Sequence, residues 1–250
     1  MTDDQIKFLL TLPPEQIVKW FQSKGLITTW KWNDLWQEAH NKSFTVAKVM
    51  KLDILQDLKD EVDKIFSSGI TFDQIRKNLE PELKNLGWWG KVKASDVPGY
   101  DPSSGIDPNS IVQLGSAYRL NTIYTTNANV GYGMGRYDMQ TQNTIERPYW
   151  QYKQIQRLHK NIDHSRYADK VFMWNDPIWN EIYPPTWYNC GCYVLSLNKA
   201  EVEALGIKVW NGDNVSVIDQ GCGSSPIATA FKPDLTKYDN DLVNAYKNSK

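Results

Sequence analysis

The cluster with the most chemical potential is His159, His164, Asp176, Cys190 and Cys192, residue types that bind metals or do nucleophilic and acid-base chemistry. Side chains of an extended segment repeat every two residues, so Cys190-Gly191-Cys192 read as a strand places both sulfurs on one face. Two thiolates and an imidazole suit zinc, which takes four nitrogen or sulfur ligands. A single residue between the cysteines is fewer than the roughly two to four of common zinc sites. The pair also fits a thiol couple that oxidises, or two small buried hydrophobes in a reducing compartment. A cysteine nucleophile with a histidine base is a further chemistry, but no flanking signature accompanies it. From the residue types alone these alternatives stay open.

A second feature is cationic. Lys153, Arg157, Lys160, Arg166 and Lys170 follow one another with His159 and His164 between them. Asp163 and Asp169 oppose them, and Tyr152 and Tyr167 interleave. Such a run can hold phosphates without reading base sequence. It can equally be a solvated edge strand whose lysines discourage unwanted pairing. The sequence holds no Walker A loop, dinucleotide-binding glycine motif or HExxH. It also lacks a GxSxG elbow.

The elements that must position these residues change period along the chain. Pro14 to Phe21 has helical spacing, and Asn33 is placed to cap a helix holding Leu35 and Trp36. Ala47 to Phe66 carries Val49, Ile54, Leu55, Leu58, Val62 and Ile65 every three or four residues, which predicts an amphipathic helix. Thr71 or Asp73 opens another, running to Gly87. Gly87-Trp88-Trp89-Gly90 predicts a tight turn between packed rings. Residues 91–109 read as a linker. A long helix is expected from Ser110, its second half weakened by Gly131, Gly133 and Gly135. Arg119, Thr122, Thr126 and Asn129 share one face of it and are placed to bond neighbouring backbone.

Past Pro148 the residues alternate, predicting strands at Tyr149 to Ile155, Lys170 to Trp174 and Cys190 to Leu197. Asn198 caps a short helix, Lys199 to Leu205. Between the last two strands lies a stiff loop of Pro177, Pro184, Pro185, Trp179 and Trp187, whose tryptophans are expected to be buried against the cysteine-bearing strand. The stretch 211–250 reads as a polar tail with one helix near Leu242 to Tyr246. The fold class is α+β: a helical N-terminal half with a long central helix, then a small antiparallel sheet with a Pro/Trp-rich loop. The expected divisions are 1–90, 91–109, 110–210 and 211–250.

Charge and composition narrow the function classes. The 28 basic and 29 acidic residues nearly cancel, which excludes a strongly basic nucleic-acid-coating protein but not a local basic patch. The acidic start, with its apolar run cut short at Pro13, is unlike a signal peptide. No run approaches the roughly 18 apolar residues of a membrane span. We therefore expect cytoplasmic maturation, in keeping with three cysteines, Cys190, Cys192 and Cys222, too few for a disulfide framework. Eleven Trp and thirteen Tyr predict aromatic cores, with some rings left to anchor partners.

The loop residues form a specific pattern. Asp176-Pro177-Ile178-Trp179 followed by Pro184-Pro185-Thr186-Trp187-Tyr188-Asn189-Cys190-Gly191-Cys192 resembles the C-terminal signature of the phage Mu F-like minor head (head morphogenesis) family. His164 and Lys170-Val171-Phe172 stand where that family has its histidine and strand. Gly191 replaces the family's arginine between the cysteines, and Asp169 its glycine before the strand. Leu12-Pro13-Pro14-Glu15, Trp20-Phe21-Gln22-Ser23-Lys24-Gly25, Phe44-Thr45-Val46-Ala47-Lys48, Gly87-Trp88-Trp89-Gly90 and the segment from Arg119 to Arg136 extend the resemblance over roughly residues 10–205.

The resemblance implies a minor structural protein of a tailed phage or prophage head. Such a protein acts near the portal in procapsid assembly, and in DNA packaging or ejection. It implies a location in the virion, and in the host cytoplasm during assembly. The implied partners are the portal protein, the major capsid or scaffolding protein, and packaged double-stranded DNA; no membrane, cofactor or catalytic residue is called for. His164, Asp176, Pro177, Trp179, Pro184, Pro185, Trp187, Asn189, Cys190 and Cys192 then form a structural motif holding the loop on the strands. Lys153, Arg157, Lys160, Arg166 and Lys170 become the candidate DNA contact. Two other readings remain: a metal-dependent enzyme or toxin-like domain around His164, Cys190 and Cys192, and a sequence-independent DNA-binding module.

Overall fold

A computed structural model describes residues 18–19, 21–31, 43–155 and 164–215. Arg157, His159 and Lys160, most of the expected Pro14–Phe21 helix, the helix expected after Asn33, Cys222, and the helix near Leu242 lie outside the described residues.

The N-terminal half is helical, with short strands at β1 (Gly25–Leu26) and β2 (Ser43–Phe44), which pair in parallel. Helix α1 (Leu52–Ser67) buries Ile54, Leu55, Leu58, Val62, Ile65 and Phe66, the stripe its periodicity predicts. It starts at Leu52 rather than Ala47, because Ala47 and Lys48 form a turn in which Lys48 takes φ 64°. Helix α2 (Phe72–Asn85) opens on Thr71 with a capping box: Thr71 Oγ1 accepts from the Gln74 N–H, and the Thr71 N–H donates to Gln74 Oε1. The glycine-bracketed turn forms as expected, with φ 78° at Gly87 and 84° at Gly90. It buries Trp88, whose Nε1–H donates to the Lys48 carbonyl at 2.9 Å.

Residues 91–109 begin with β3 (Lys91–Lys93), which pairs antiparallel with β4 (Ile111–Gln113). The long helix α3 therefore starts at Ala117, not Ser110; Ser116 is its N-cap and accepts from the Arg119 N–H. It runs to Thr141 straight through its glycines, all three of them buried. At Gly133 a packing demand outweighs helix propensity.

The C-terminal sheet has the order β6 (Val171–Met173), β5 (Tyr149–Lys153), β7 (Tyr193–Leu197), all antiparallel. Alternation on β5 buries Trp150 and Tyr152 completely. Helix α4 (Trp179–Ile182) sits in the Pro/Trp loop, and α5 (Lys199–Ala204) follows β7 with Asn198 capping it as expected. Two aromatic-rich cores result. One joins α1, α2 and the first half of α3 through residues such as Leu58, Leu79 and Leu120. The other gathers Trp150, Tyr152, Phe172, Trp179, Tyr183 and Val194, with Tyr137 of α3 packed on it. Helix α3 is the rod common to both. Among the described residues no helix is long and apolar enough to cross a membrane.

Candidate functional site

The Pro/Trp loop is tied down at several of its landmarks. Asp176 Oδ1 accepts the Ile178 N–H at 2.9 Å, closing the turn into α4, and Oδ2 accepts the Gly212 N–H at 2.9 Å. Pro177 lies exposed on that turn. Trp179 is 1 % exposed; its Nε1–H donates to the Met173 carbonyl, and its ring meets Trp150, Phe172 and Tyr183 with centroids 5.5–6.0 Å apart. The Tyr183 hydroxyl donates to Gln140 Oε1 at 2.7 Å, while Gln140 Nε2 donates to the Val194 carbonyl at 2.9 Å. One α3 side chain thus bridges the loop and β7.

Pro184 and Pro185 are buried and joined by a cis peptide bond. They lie on Gly133 of α3: a Cβ added there would stand 2.7 Å from Pro185 Cδ and 2.8 Å from the Pro184 carbonyl oxygen. Helix propensity alone favours alanine over glycine by about 1 kcal/mol. We expect the opposite sign. Gly133→Ala should destabilise the chain by about 1–3 kcal/mol, because neither a proline ring nor a backbone carbonyl can yield the missing space. A urea midpoint unchanged or raised in the variant would contradict this.

The loop's last turn departs from the expected strand. Asn189 takes φ 58°, a left-handed conformation that asparagine tolerates, and the Cys190 N–H donates to the Trp187 carbonyl. Strand pairing begins only at Tyr193, opposite Lys153, so Cys190 and Cys192 lie on the lead-in to β7 and not on a strand face. Trp187 is correspondingly half-buried rather than enclosed. Helix α3 holds this turn directly. Thr125 Oγ1 donates to Asn189 Oδ1, the Asn189 N–H donates to Thr126 Oγ1, and Asn129 Nδ2 donates to the Cys190 carbonyl, at 2.8–3.0 Å. The polar face foreseen at Thr126 and Asn129 does bond backbone; Thr125 was missed.

The turn delivers both sulfurs to one imidazole. Cys190 Sγ and Cys192 Sγ lie 3.7 Å and 3.5 Å from His164 Nδ1, and His164 Nε2 lies 3.4 Å from Thr186 Oγ1. Neither cysteine is in a disulfide. The hydrogen bond from the Cys190 thiol, helped by His164 and Tyr152, holds the Cys192 thiol well below its usual range against the opposing effect of burial. Burial, with the two cysteines adding to it, pushes the Tyr152 phenol well up. Sequence reasoning missed Tyr152 and Thr186 as neighbours of His164. Asp176 is engaged at the other end of the loop, in its own turn.

The cationic residues do not converge in the same way. Lys153 pairs with Asp169, which takes φ 61° where the resemblance expects a glycine. Lys170 donates to the Arg166 carbonyl and lies 4.9 Å from the Trp210 ring centroid. Arg166 is exposed.

Together these features define an α+β protein whose Pro/Trp loop is held on a central helix and a small sheet by hydrogen bonds and ring contacts, with a His/Cys/Cys cluster at its end. The chain belongs to the family described as phage Mu protein F like protein, whose model matches residues 56–195. It is 36% identical over 242 residues to "Putative capsid assembly protein F" of Escherichia phage Mu, covering 95% of this chain and 53% of that protein. It is also 36% identical over 185 residues to "Mu-like prophage FluMu F protein" of Haemophilus influenzae, covering 74% of this chain and 42% of that one. The chain thus spans about half the length, or less, of these relatives. No solved structure matches it.

Proposed function

We propose that this chain is a minor structural protein of a tailed-phage or prophage head, acting in head assembly without catalysing a reaction. The observation that carries this reading is relatedness along 95% of the chain to a phage Mu protein named for capsid assembly. The local chemistry agrees with it. Asp176, Trp179, Asn189, Pro184 and Pro185 are spent on bonds and contacts within the protein, as expected of architecture. The finer reading places the protein near the portal, with the portal and the capsid or scaffolding protein as partners. Exposed rings such as Tyr118 and Trp174 would then be interface anchors. On the same reading the run Lys153, Arg166 and Lys170, with Arg157 and Lys160, contacts packaged duplex.

The test is genetic and positional. Deleting the gene from its phage or prophage should leave few DNA-filled heads, and the protein should co-sediment with heads and localise to the portal vertex in intact particles. Normal numbers of infectious heads without the protein would overturn the assembly role. Duplex affinity that falls steeply with salt is expected if the basic run contacts DNA; salt-insensitive or absent binding removes that part.

A further inference from the structure

The fold brings His164, Cys190 and Cys192 together from either end of the loop, with all three candidate ligand atoms within 4.8 Å of one another. Tetrahedral zinc holds thiolate sulfur at about 2.3 Å and imidazole nitrogen at about 2.0–2.1 Å, which sets the nitrogen-to-sulfur edge at about 3.6 Å. The observed edges are 3.7 Å and 3.5 Å. A neutral imidazole Nδ1 carries a single in-plane lone pair, and both sulfurs stand around it. A cation placed where that lone pair meets both sulfurs satisfies all three atoms. The other ring nitrogen faces Thr186 Oγ1 at 3.4 Å; a proton on Nε2 directed there leaves the Nδ1 lone pair toward the sulfurs.

The surroundings are those of a closed site. His164 is 4 % exposed and Cys190 9 %. The Tyr152 hydroxyl beside them is fully enclosed. We propose that His164, Cys190 and Cys192 form a structural zinc site. The ion fastens the end of the Pro/Trp loop to the segment preceding β6. Zinc takes both sulfurs as thiolates, with any thiol proton released to solvent. This departs from the expectation that no cofactor is needed. It stands independently of the assembly role, since the metal binds or fails to bind whatever the chain's partners are.

Elemental analysis of the full chain, purified without chelator, should find about one zinc per chain. Cobalt(II) titrated into the metal-stripped chain should give the intense visible bands of a tetrahedral ion and a near-ultraviolet thiolate-to-cobalt band. Added zinc should raise its melting temperature. Cys192→Ser and His164→Gln should abolish stoichiometric metal, whereas Cys222→Ser should retain it. The wild-type measurements need no variant to fold. A folded wild-type chain with neither stoichiometric zinc nor the cobalt bands overturns the proposal. Metal lost from Cys222→Ser but kept by Cys192→Ser overturns it as well.

Discussion

Trp179→Ala should lower the unfolding free energy by about 3–5 kcal/mol, and Trp187→Ala by clearly less. The sequence treats the two tryptophans alike, as loop rings buried against the cysteine strand. The structure separates them. Trp179 is the hub of the second core, with edge-on contacts to Trp150, Phe172 and Tyr183 and a hydrogen bond to the Met173 carbonyl. Removing it opens a cavity among rings that are themselves fully buried, and takes one of two donors from the Met173 carbonyl, which also accepts the Asp176 N–H. Those rings cannot collapse into the space without breaking the Tyr183–Gln140–Val194 chain that ties loop, α3 and β7 together. Trp187 packs edge-on against Tyr188 and keeps part of its surface in water, so less is lost with it. Denaturant unfolding followed by near-ultraviolet circular dichroism measures both variants. Equal losses would mean that Trp187 is as enclosed as Trp179.

How much of this was legible depended on whether the signal was local. The stripe of α1, the capping signals at Thr71 and Asn198, and the alternation of Trp150 and Tyr152 are written in neighbouring residues, and the structure repeats them. The errors arose where distant residues decide. Gly131, Gly133 and Gly135 read locally only as weakening a long helix, and nothing local shows that Gly133 is glycine because prolines about fifty residues later lie on it. Cys190-Gly191-Cys192 reads as a strand with both sulfurs on one face. A left-handed Asn189, held by Thr125 and Thr126 of α3, turns it into a loop that aims both sulfurs at His164. The candidate ligands were legible as residue types, but their convergence was not, because three separate segments create it. Tyr152 and Thr186 carry no metal-like spacing and became visible only as neighbours.

Arg119→Ala should cost about 2–4 kcal/mol, and Arg119→Lys should recover less than half of that loss. The guanidinium donates from Nη1 to the Gln113 and Leu114 carbonyls and from Nη2 to the Ala47 carbonyl, at 2.7–3.1 Å, with its centre 4.9 Å from the Trp88 ring centroid. Burial lowers its pKa to about 10, so it remains charged at neutral pH. No carboxylate appears among these contacts; neutral carbonyls and a ring face hold the charge. The arrangement joins the turn before α1 to the exit of β4 and the first turn of α3. A planar fork reaches several acceptors at fixed angles, whereas an ammonium on a flexible stem cannot reproduce that geometry. Alanine leaves the acceptors without donors and the Trp88 face without its cation. The loss should appear as faster amide exchange around Ala47 and Leu114, with the second core around Trp150 still protected. If both cores loosen equally, α3 transmits the damage along its length and the two cores unfold as one unit.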